Sequence, residues 1–382
     1  KKLSKDHIVD VITYIRNNNE LLESQKKLKN NCNEFYPISA INPTNNFFKR
    51  KYIGIKCLIN YYLFGYPGVY FYNSKKYYLN KILETINDNH YNIVQVEYWY
   101  LGKLFERLNR KIYKVIDTHD VLSEKKKRHL QAKYGEKLPY FKNRELNKYE
   151  ELEKKFLNLA DLIISISKND YDTLRTISPH NDDIIIHIGQ NIDYFKYYET
   201  TPIENVILFY GSMSSDPYNQ NVVAFFRFWN KILPLIKRHI SDVKVLVVGA
   251  NPPESIKKLD NGKDVIITGY VEDVREYLAK ASLMILPLEI AAGFRSRVIE
   301  VMAMRIPIIG TRNALDSIEI VNGVHGYITD SNEEMAKFAI ELLNNEKLRQ
   351  QMGSNCRNFV KHYYTIEATY GKLSNFYSNL DI

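Results

Sequence analysis

No stretch of the 382 residues offers the ~18 uninterrupted apolar side chains that a membrane-spanning helix needs. The longest candidate, Tyr52 to Tyr72, is broken by Lys56, Asn60, Gly65, Pro67 and Gly68, so the chain is not expected to span a bilayer. Its tyrosines and phenylalanines, beside the run Lys49-Arg50-Lys51, suit either a bilayer interface or a domain core. Cysteine is scarce: Cys32, Cys57 and Cys356 are an odd number, widely spaced, without a CxxC or Cys/His cluster. That argues against a disulfide framework and a zinc site, and fits a reducing cytoplasm. There is no fixed-period repeat and no low-complexity tract, which sets aside solenoids and disordered tails. No zinc finger, RNP-type aromatic motif or helix-turn-helix pattern appears, so nucleic acid is not expected as a partner. The opening KKLSKDHIVDVITYI reads as a helix end followed by a strand, with no signal peptide.

What is present is an ordinary globular composition, long enough for two cores. The formal net charge of +9 lies wholly in the first 200 residues, which hold 33 Lys and Arg against 24 Asp and Glu; the remainder hold 20 against 20. Clusters such as Lys125-Lys126-Lys127-Arg128 offer peripheral contact with anionic lipid or phosphate, although scattered solvated lysines explain the same excess. Apolar runs rich in Val, Ile and Leu alternate with longer helical patterns, the signature of parallel sheets with helices on both faces. Strands are expected at His7 to Ile15, Asn92 to Glu97, Lys114 to Thr118, Leu162 to Ser167 and Asp183 to Ile188. In the second half they are expected at Asn205 to Gly211, Val243 to Gly249, Val265 to Val271, Leu283 to Leu288, Pro307 to Thr311 and Gly326 to Thr329. The polar segment Gly189 to Pro202 marks the boundary. The expected architecture is α/β: two Rossmann-like, doubly wound parallel-sheet domains facing a cleft, over residues 1–195 and 196–364. A C-terminal helix, 365–382, is expected to cross back to the first domain. Either a first strand and Gly-rich turn of the usual kind are missing from the start of the first domain, or that domain is unusual.

The stretch GFRSRVIEVMAMRIPIIGT, Gly293 to Thr311, writes a loop, an amphipathic helix and a buried strand around two arginines and a glutamate. Gly293 frees the backbone, Ser296 is expected to cap the helix, and Val298, Ile299, Val301 and Met302 form its apolar stripe. Arg295 and Arg297 at a helix N-terminus attract a diphosphate, and Glu300 one turn on can accept from both hydroxyls of a ribose. A solvated amphipathic helix is the alternative, and the surrounding βα alternation argues against it.

With these residues laid out, the second half resembles the donor-binding domain of GT-B glycosyltransferases of family 4. VILFYGSMSSDPYNQN, VKVLVVGANPP, VIITGYVEDVREYLAKASLMILPL and the Gly293 stretch are similar to its successive strands and turns. VQVEYWY, VIDTHDVLS and LADLIISISKNDYDTL, followed by HIGQNIDYF, resemble the acceptor domain more loosely. The nearest subgroup comprises bacterial sugar transferases that build exopolysaccharide or capsule. The resemblance implies a retaining glycosyltransferase, independent of metal and cofactor. It would move sugar from a nucleotide-diphosphate donor, UDP or GDP, to a lipid-linked or polysaccharide acceptor, in the cytoplasm or at the inner membrane face.

Carried over residue by residue, Gly211 is the tight turn facing the donor phosphates, with Ser212 and Asn219 beyond it. Gly269, Tyr270 and Val271 line the base, and Gly293, Phe294 and Ser296 shape the loop. Glu300 holds the ribose, Arg295 and Arg297 meet the diphosphate, and His119 faces the transferred sugar. The chain departs from the family in two places. A glutamate common eight positions before the ribose-binding one is replaced by Ala292, with Glu289 nearby, and basic residues after the first glycine turn give way to Ser212, Met213 and Asn219. A catalytically silent donor-binding subunit and a GT-B epimerase are the alternative readings, and Ala292 weakens the epimerase. His119-Asp120 reads as a functional pair or a capped loop. The lone DxD, Asp170 and Asp172, reads as a helix cap rather than a metal motif.

Overall fold

The computed structural model describes residues 2–15, 17–39, 76–179, 182–195, 205–216, 218–290 and 293–381. The segment Tyr52 to Tyr72, the run Lys49-Arg50-Lys51 and Ala292 lie outside them. Two compact units form, Lys1–His187 with Thr369–Ile382, and Ile188–Ala368. Among the described residues, no helix is long and apolar enough to cross a membrane.

In the first unit, β1 (Val11–Ile15) and β2 (Phe35–Ser39) pair in parallel across the helix Asn18–Leu28. Asn17 caps that helix by accepting from the Glu20 amide. A second, four-stranded parallel sheet runs in sequence order through β3 (Ile93–Glu97), β4 (Tyr113–Asp117), β5 (Leu162–Ser165) and β6 (Asp183–Ile185). Successive side chains point to opposite faces of a strand, so this sheet feeds two cores. Val94, Val96, Ile116 and Ile163 pack with Trp99 and Phe156 on one side, while Val115, Leu162, Ile164 and Ile186 pack with Leu373 on the other. Leu373 belongs to the last helix, Ile366–Ser378, which also donates from the Ser374 hydroxyl to Asp6 at 2.7 Å and from the Tyr377 hydroxyl to Gln95 at 2.7 Å.

The second unit has one six-stranded sheet, all parallel, built from β7 (Val206–Tyr210), β8 (Lys244–Val248), β9 (Val265–Gly269), β10 (Leu283–Leu286), β11 (Ile308–Gly310) and β12 (Gly326–Ile328). Its spatial order is β9-β8-β7-β10-β11-β12, so the winding reverses between β7 and β10. In a doubly wound sheet that reversal opens a crevice at the carboxyl ends of the strands. Ile207, Leu208, Phe209 and all four residues of β10 are fully buried, which is why these strands read as unbroken apolar runs. Phe209 meets Phe225 and Phe228 from the helical segment beside it. That segment changes from α-helix at Gln220–Arg227 to a π-turn at Phe228–Ile232 just before Pro234, whose ring nitrogen has no proton to donate into the helical ladder.

The expected strands form, trimmed by a few residues. His7 ends a short helix instead of starting β1. β2 is an addition to the expected strands; Pro37 lies within it, and Pro is tolerated at the edge of a two-stranded sheet. Truncating Phe228, fully buried among aromatic rings, to alanine is expected to destabilise the second unit by about 3 to 5 kcal/mol. Urea denaturation followed by tryptophan fluorescence checks this, and a loss below about 1 kcal/mol would show that the cavity collapses freely.

Candidate functional site

The turns after β7, β8 and β9 close on one another through three glycines. The Gly211 amide donates to the Val248 carbonyl at 2.9 Å, and the Gly249 amide to the Gly269 carbonyl at 3.2 Å. Gly249 has φ +150°, and a Cβ there would stand 2.1 Å from the Gly211 carbonyl oxygen, so only glycine fits. A Cβ on Gly211 would stand 2.5 Å from an Arg297 guanidinium nitrogen, so the missing side chain is what lets that arginine lie against the turn. Asn221 ties the same parts together. Its Nδ2 donates to the Ser212 carbonyl at 2.6 Å and its Oδ1 accepts from Arg297 at 2.8 Å.

Arg297 and Glu300 come from the helix Ser296–Ala303, whose Val298, Ile299, Val301, Met302 and Ala303 are buried. Those apolar anchors fix the helix and present its amino end beside Gly211. The N-cap is Arg295, not the expected Ser296, which is the first helical residue; no side chain caps this end. Its first amide protons therefore keep their partial positive charge for a ligand. Arg297 Nε is buried with no hydrogen-bond partner, and burial, with Arg295 nearby, pulls the guanidinium down to about 10. Glu300 accepts from the Tyr210 hydroxyl at 2.7 Å. Burial raises the Glu300 carboxyl above its ordinary value, against the opposing effects of Tyr210 and Arg297, and burial beside Glu300 likewise raises the Tyr210 phenol.

The structure brings together Gly211, Ser212, Arg297 and Glu300, and gives several other expected site residues different partners. Arg295 turns away to Asp316 at 3.1 Å and the Ser317 hydroxyl at 3.0 Å. Asn219 spends its side-chain oxygen capping the helix Gln220–Arg227, accepting from the Asn221 and Val222 amides. Gly269, at φ +68°, ends β9; Tyr270 is 79% exposed and Val271 packs on the core. Gly293, at φ +80°, opens the loop, and Phe294 stacks on Tyr364. Glu289 is exposed, 4.0 Å from Arg227. Asn221 and Tyr210 were not singled out from the sequence. An asparagine two residues after a cap and a tyrosine ending an apolar strand carry no local signal of what they meet.

In the first unit, His119 follows β4 with φ +53° and hydrogen-bonds through Nε2 to Glu97 at the end of β3. Asp117 Oδ1 lies 4.0 Å from the same nitrogen. The bond to Glu97 raises the histidine, and burial followed by the Glu97 charge pushes Asp117 up to about 7. The three ligand-type atoms lie within 4.8 Å of one another, close enough to hold a metal ion. Asp120 pairs instead with Lys125 at 2.6 Å. Ser167, not the DxD, is the helix cap: its hydroxyl accepts from the Asp170 amide and donates to the Asp170 carboxylate, while Asp172 pairs with Lys168.

Comparison with known proteins places this geometry in context. The family described as glycosyl transferases group 1 matches residues 204–345. An N-acetyl-alpha-D-glucosaminyl L-malate synthase of Bacillus anthracis is 31% identical over 143 residues, 36% of this chain and 37% of that protein. The capsular polysaccharide biosynthesis glycosyltransferase CapM of Staphylococcus aureus is 27% identical over 146 residues, 36% of this chain and 38% of that protein. The chain thus spans under two-fifths of the length of these relatives. Among solved structures, a sucrose-phosphate synthase of Thermosynechococcus elongatus superposes with TM-score 0.61 at 17% identity, covering 79% of this chain and 76% of that one. HepE of Anabaena, solved with UDP-glucose, superposes with TM-score 0.62 at 12% identity, covering 97% and 100%. At these identities the likeness is one of fold, the GT-B α/β class.

The raised Glu300 pKa carries a stability consequence. A carboxyl whose folded pKa exceeds its unfolded one is a burden when ionised, and the burden disappears as pH falls through the folded value. Without ligand, Glu300→Gln is therefore expected to withstand more urea than the wild type at about pH 8, with the gap narrowing toward about pH 5. A variant less stable than wild type at the higher pH would contradict this.

Proposed function

From the premise that residues 204–345 belong to the group 1 glycosyl transferases, we propose that the chain is a retaining glycosyltransferase using a nucleotide-diphosphate sugar. The observation that carries the reading is Arg297, charged and half-buried with its enclosed Nε unpartnered, beside Gly211 and an uncapped helix amino end. An apolar interior tolerates such a group only where a partner arrives, and a diphosphate supplies it. Glu300, one turn along the same helix, accepts from the ribose hydroxyls, while Gly269, Tyr270 and Val271 line the base. Arg295 serves by holding the loop through Asp316 and Ser317. His119 meets the transferred sugar. UDP is favoured as the nucleotide by the UDP-glucose bound in HepE, with GDP the other candidate. The name of CapM, which places it in capsular polysaccharide biosynthesis, supports a polysaccharide acceptor; a lipid-linked acceptor met peripherally at the inner membrane face is the other candidate.

In this reading the anomeric carbon's bond to the diphosphate oxygen breaks while its bond to the acceptor oxygen forms on the same face. The departing diphosphate takes the acceptor's proton. Arg297 and the helix end stabilise the charge that develops on it, so the leaving group requires no metal ion. A second reading is favoured by Ser212 and Met213 standing where the family carries basic residues, and by Asn219 acting as a cap: a donor-binding subunit that transfers nothing. Turnover separates the two.

Glu300→Ala is expected to weaken donor binding by about 1.5 to 3 kcal/mol in calorimetry, and unchanged affinity would sink the ribose assignment. Arg297→Ala is expected to lower transfer or donor hydrolysis by an amount on the order of 3 kcal/mol. Turnover within about twofold of wild type would remove Arg297 from the site. A wild type that binds donor but never cleaves it would favour the silent subunit.

A further inference from the structure

We propose that Glu289 recognises the sugar of the donor, its carboxylate accepting from hydroxyls of that sugar beyond the carboxyl end of β10. The inference rests on the donor reading above and extends it to the sugar end of the ligand. In the sheet order β9-β8-β7-β10-β11-β12, the groups proposed to hold the donor follow one another. Gly269 ends β9 on the base side, and Tyr210 and Gly211, at the end of β7, stand with Glu300 and Arg297 at the ribose and diphosphate. The next strand across the reversal is β10, which pairs with β7 and ends at Leu286. A sugar carried on the diphosphate, continuing in the same direction, comes to the loop that leaves β10. Glu289 is the first charged residue of that loop, and the loop goes on to the helix that bears Arg297.

Three successive carbonyls of this loop are clamped, each by a side chain from elsewhere in the second unit. Pro287 accepts from Arg227 at 3.5 Å, Leu288 from the Thr311 hydroxyl at 2.5 Å, and Glu289 from Asn313 Nδ2 at 2.6 Å. Thr311 is itself only 1% exposed, so the clamp reaches the core. The backbone is thus fixed without spending the carboxylate. The Glu289 side chain is 58% exposed, and among the described residues no hydrogen bond engages it. Arg227 is the nearby cation, yet its guanidinium is committed to Asn332 Oδ1 at 2.8 Å and to the Asp330 and Pro287 carbonyls, leaving Glu289 at 4.0 Å. An ionised carboxylate is acceptor only, with room for two neighbouring hydroxyls. Its charge repels phosphate and suits hydroxyl donors, which a sugar presents on adjacent carbons. Holding it on a clamped loop lowers the ordering cost of binding.

Calorimetric titration of the full chain tests this, in wild type, Glu289→Gln and Glu289→Ala. The ligands are UDP, UDP-glucose, UDP-galactose and UDP-N-acetylglucosamine, with GDP and GDP-mannose beside them. The quantity read is the Kd of the bare nucleotide divided by that of its sugar conjugate. For the conjugate that the wild type binds best, this ratio is expected to fall about tenfold or more in Glu289→Ala, while the Kd of the bare nucleotide stays within about twofold. Glu289→Gln, which keeps one acceptor oxygen, should fall between. Glu289 is exposed, so its variants leave the core intact. A glutamate that only balances Arg227 would shift the melting temperature and leave the ratio unchanged. An unchanged ratio overturns the inference while the donor reading stands, and so does an equal loss for nucleotide and conjugate, which would place Glu289 at the phosphates. A wild type that binds no nucleotide overturns the donor reading and the inference with it.

Discussion

The second unit depends on a charged group, Arg297, whose enclosed Nε its own fold leaves unpartnered. Arg297 and Glu300 are anchored by a helix whose apolar stripe is buried, at the point where the sheet's winding reverses. Both are desolvated, and desolvation moves both toward their neutral forms. The surroundings bend to accommodate them. Gly211 gives up a side chain to admit the guanidinium, Gly249 gives up one to admit Gly211, and Tyr210 and Asn221 each contribute one hydrogen bond. A packed hydrophobic cluster would be more stable there, so the arrangement makes sense as a surface prepared for a ligand with an anionic and a hydroxylated part.

The two strand ends of the first unit follow the same logic with different chemistry. There the unsatisfied group is a carboxylate, Asp117, and its neighbours are another carboxylate and an imidazole. Asp117 Oδ1 lies at the carboxyl end of its strand, and Arg297 Nε lies at a helix start beside the turn that follows β7. Side chains there leave the buried sheet and turn toward the loops, while the strand interiors stay apolar.

How much of this was legible beforehand differs by residue. Strands such as Leu283–Leu286 announce themselves, because burial on both faces removes polar residues from the whole run. β2 does not, since Pro37 mimics a breaker and only an edge position excuses it. The Gly293 stretch was readable as a helix carrying Arg297 and Glu300. Which arginine serves the site was not readable, because that depends on Asp316 and Ser317 waiting across the loop for Arg295. Asn219 looked like a site residue and caps a helix, while Asn221, two positions on, bridges the turn to Arg297. Glu97 ends one expected strand and Asp117 lies one residue before the end of another, but their adjacency is a product of strand pairing, which local sequence does not encode.

The most direct test of the central claim is a thermal-shift series on the full chain with uridine, UMP, UDP and a UDP-sugar, repeated in Arg297→Met. If the half-buried guanidinium awaits a diphosphate, UDP raises the melting temperature of the wild type well above the effect of UMP or uridine. That difference should disappear in the variant. Equal shifts for UDP and uridine, or a diphosphate-dependent shift that survives in Arg297→Met, would contradict the account.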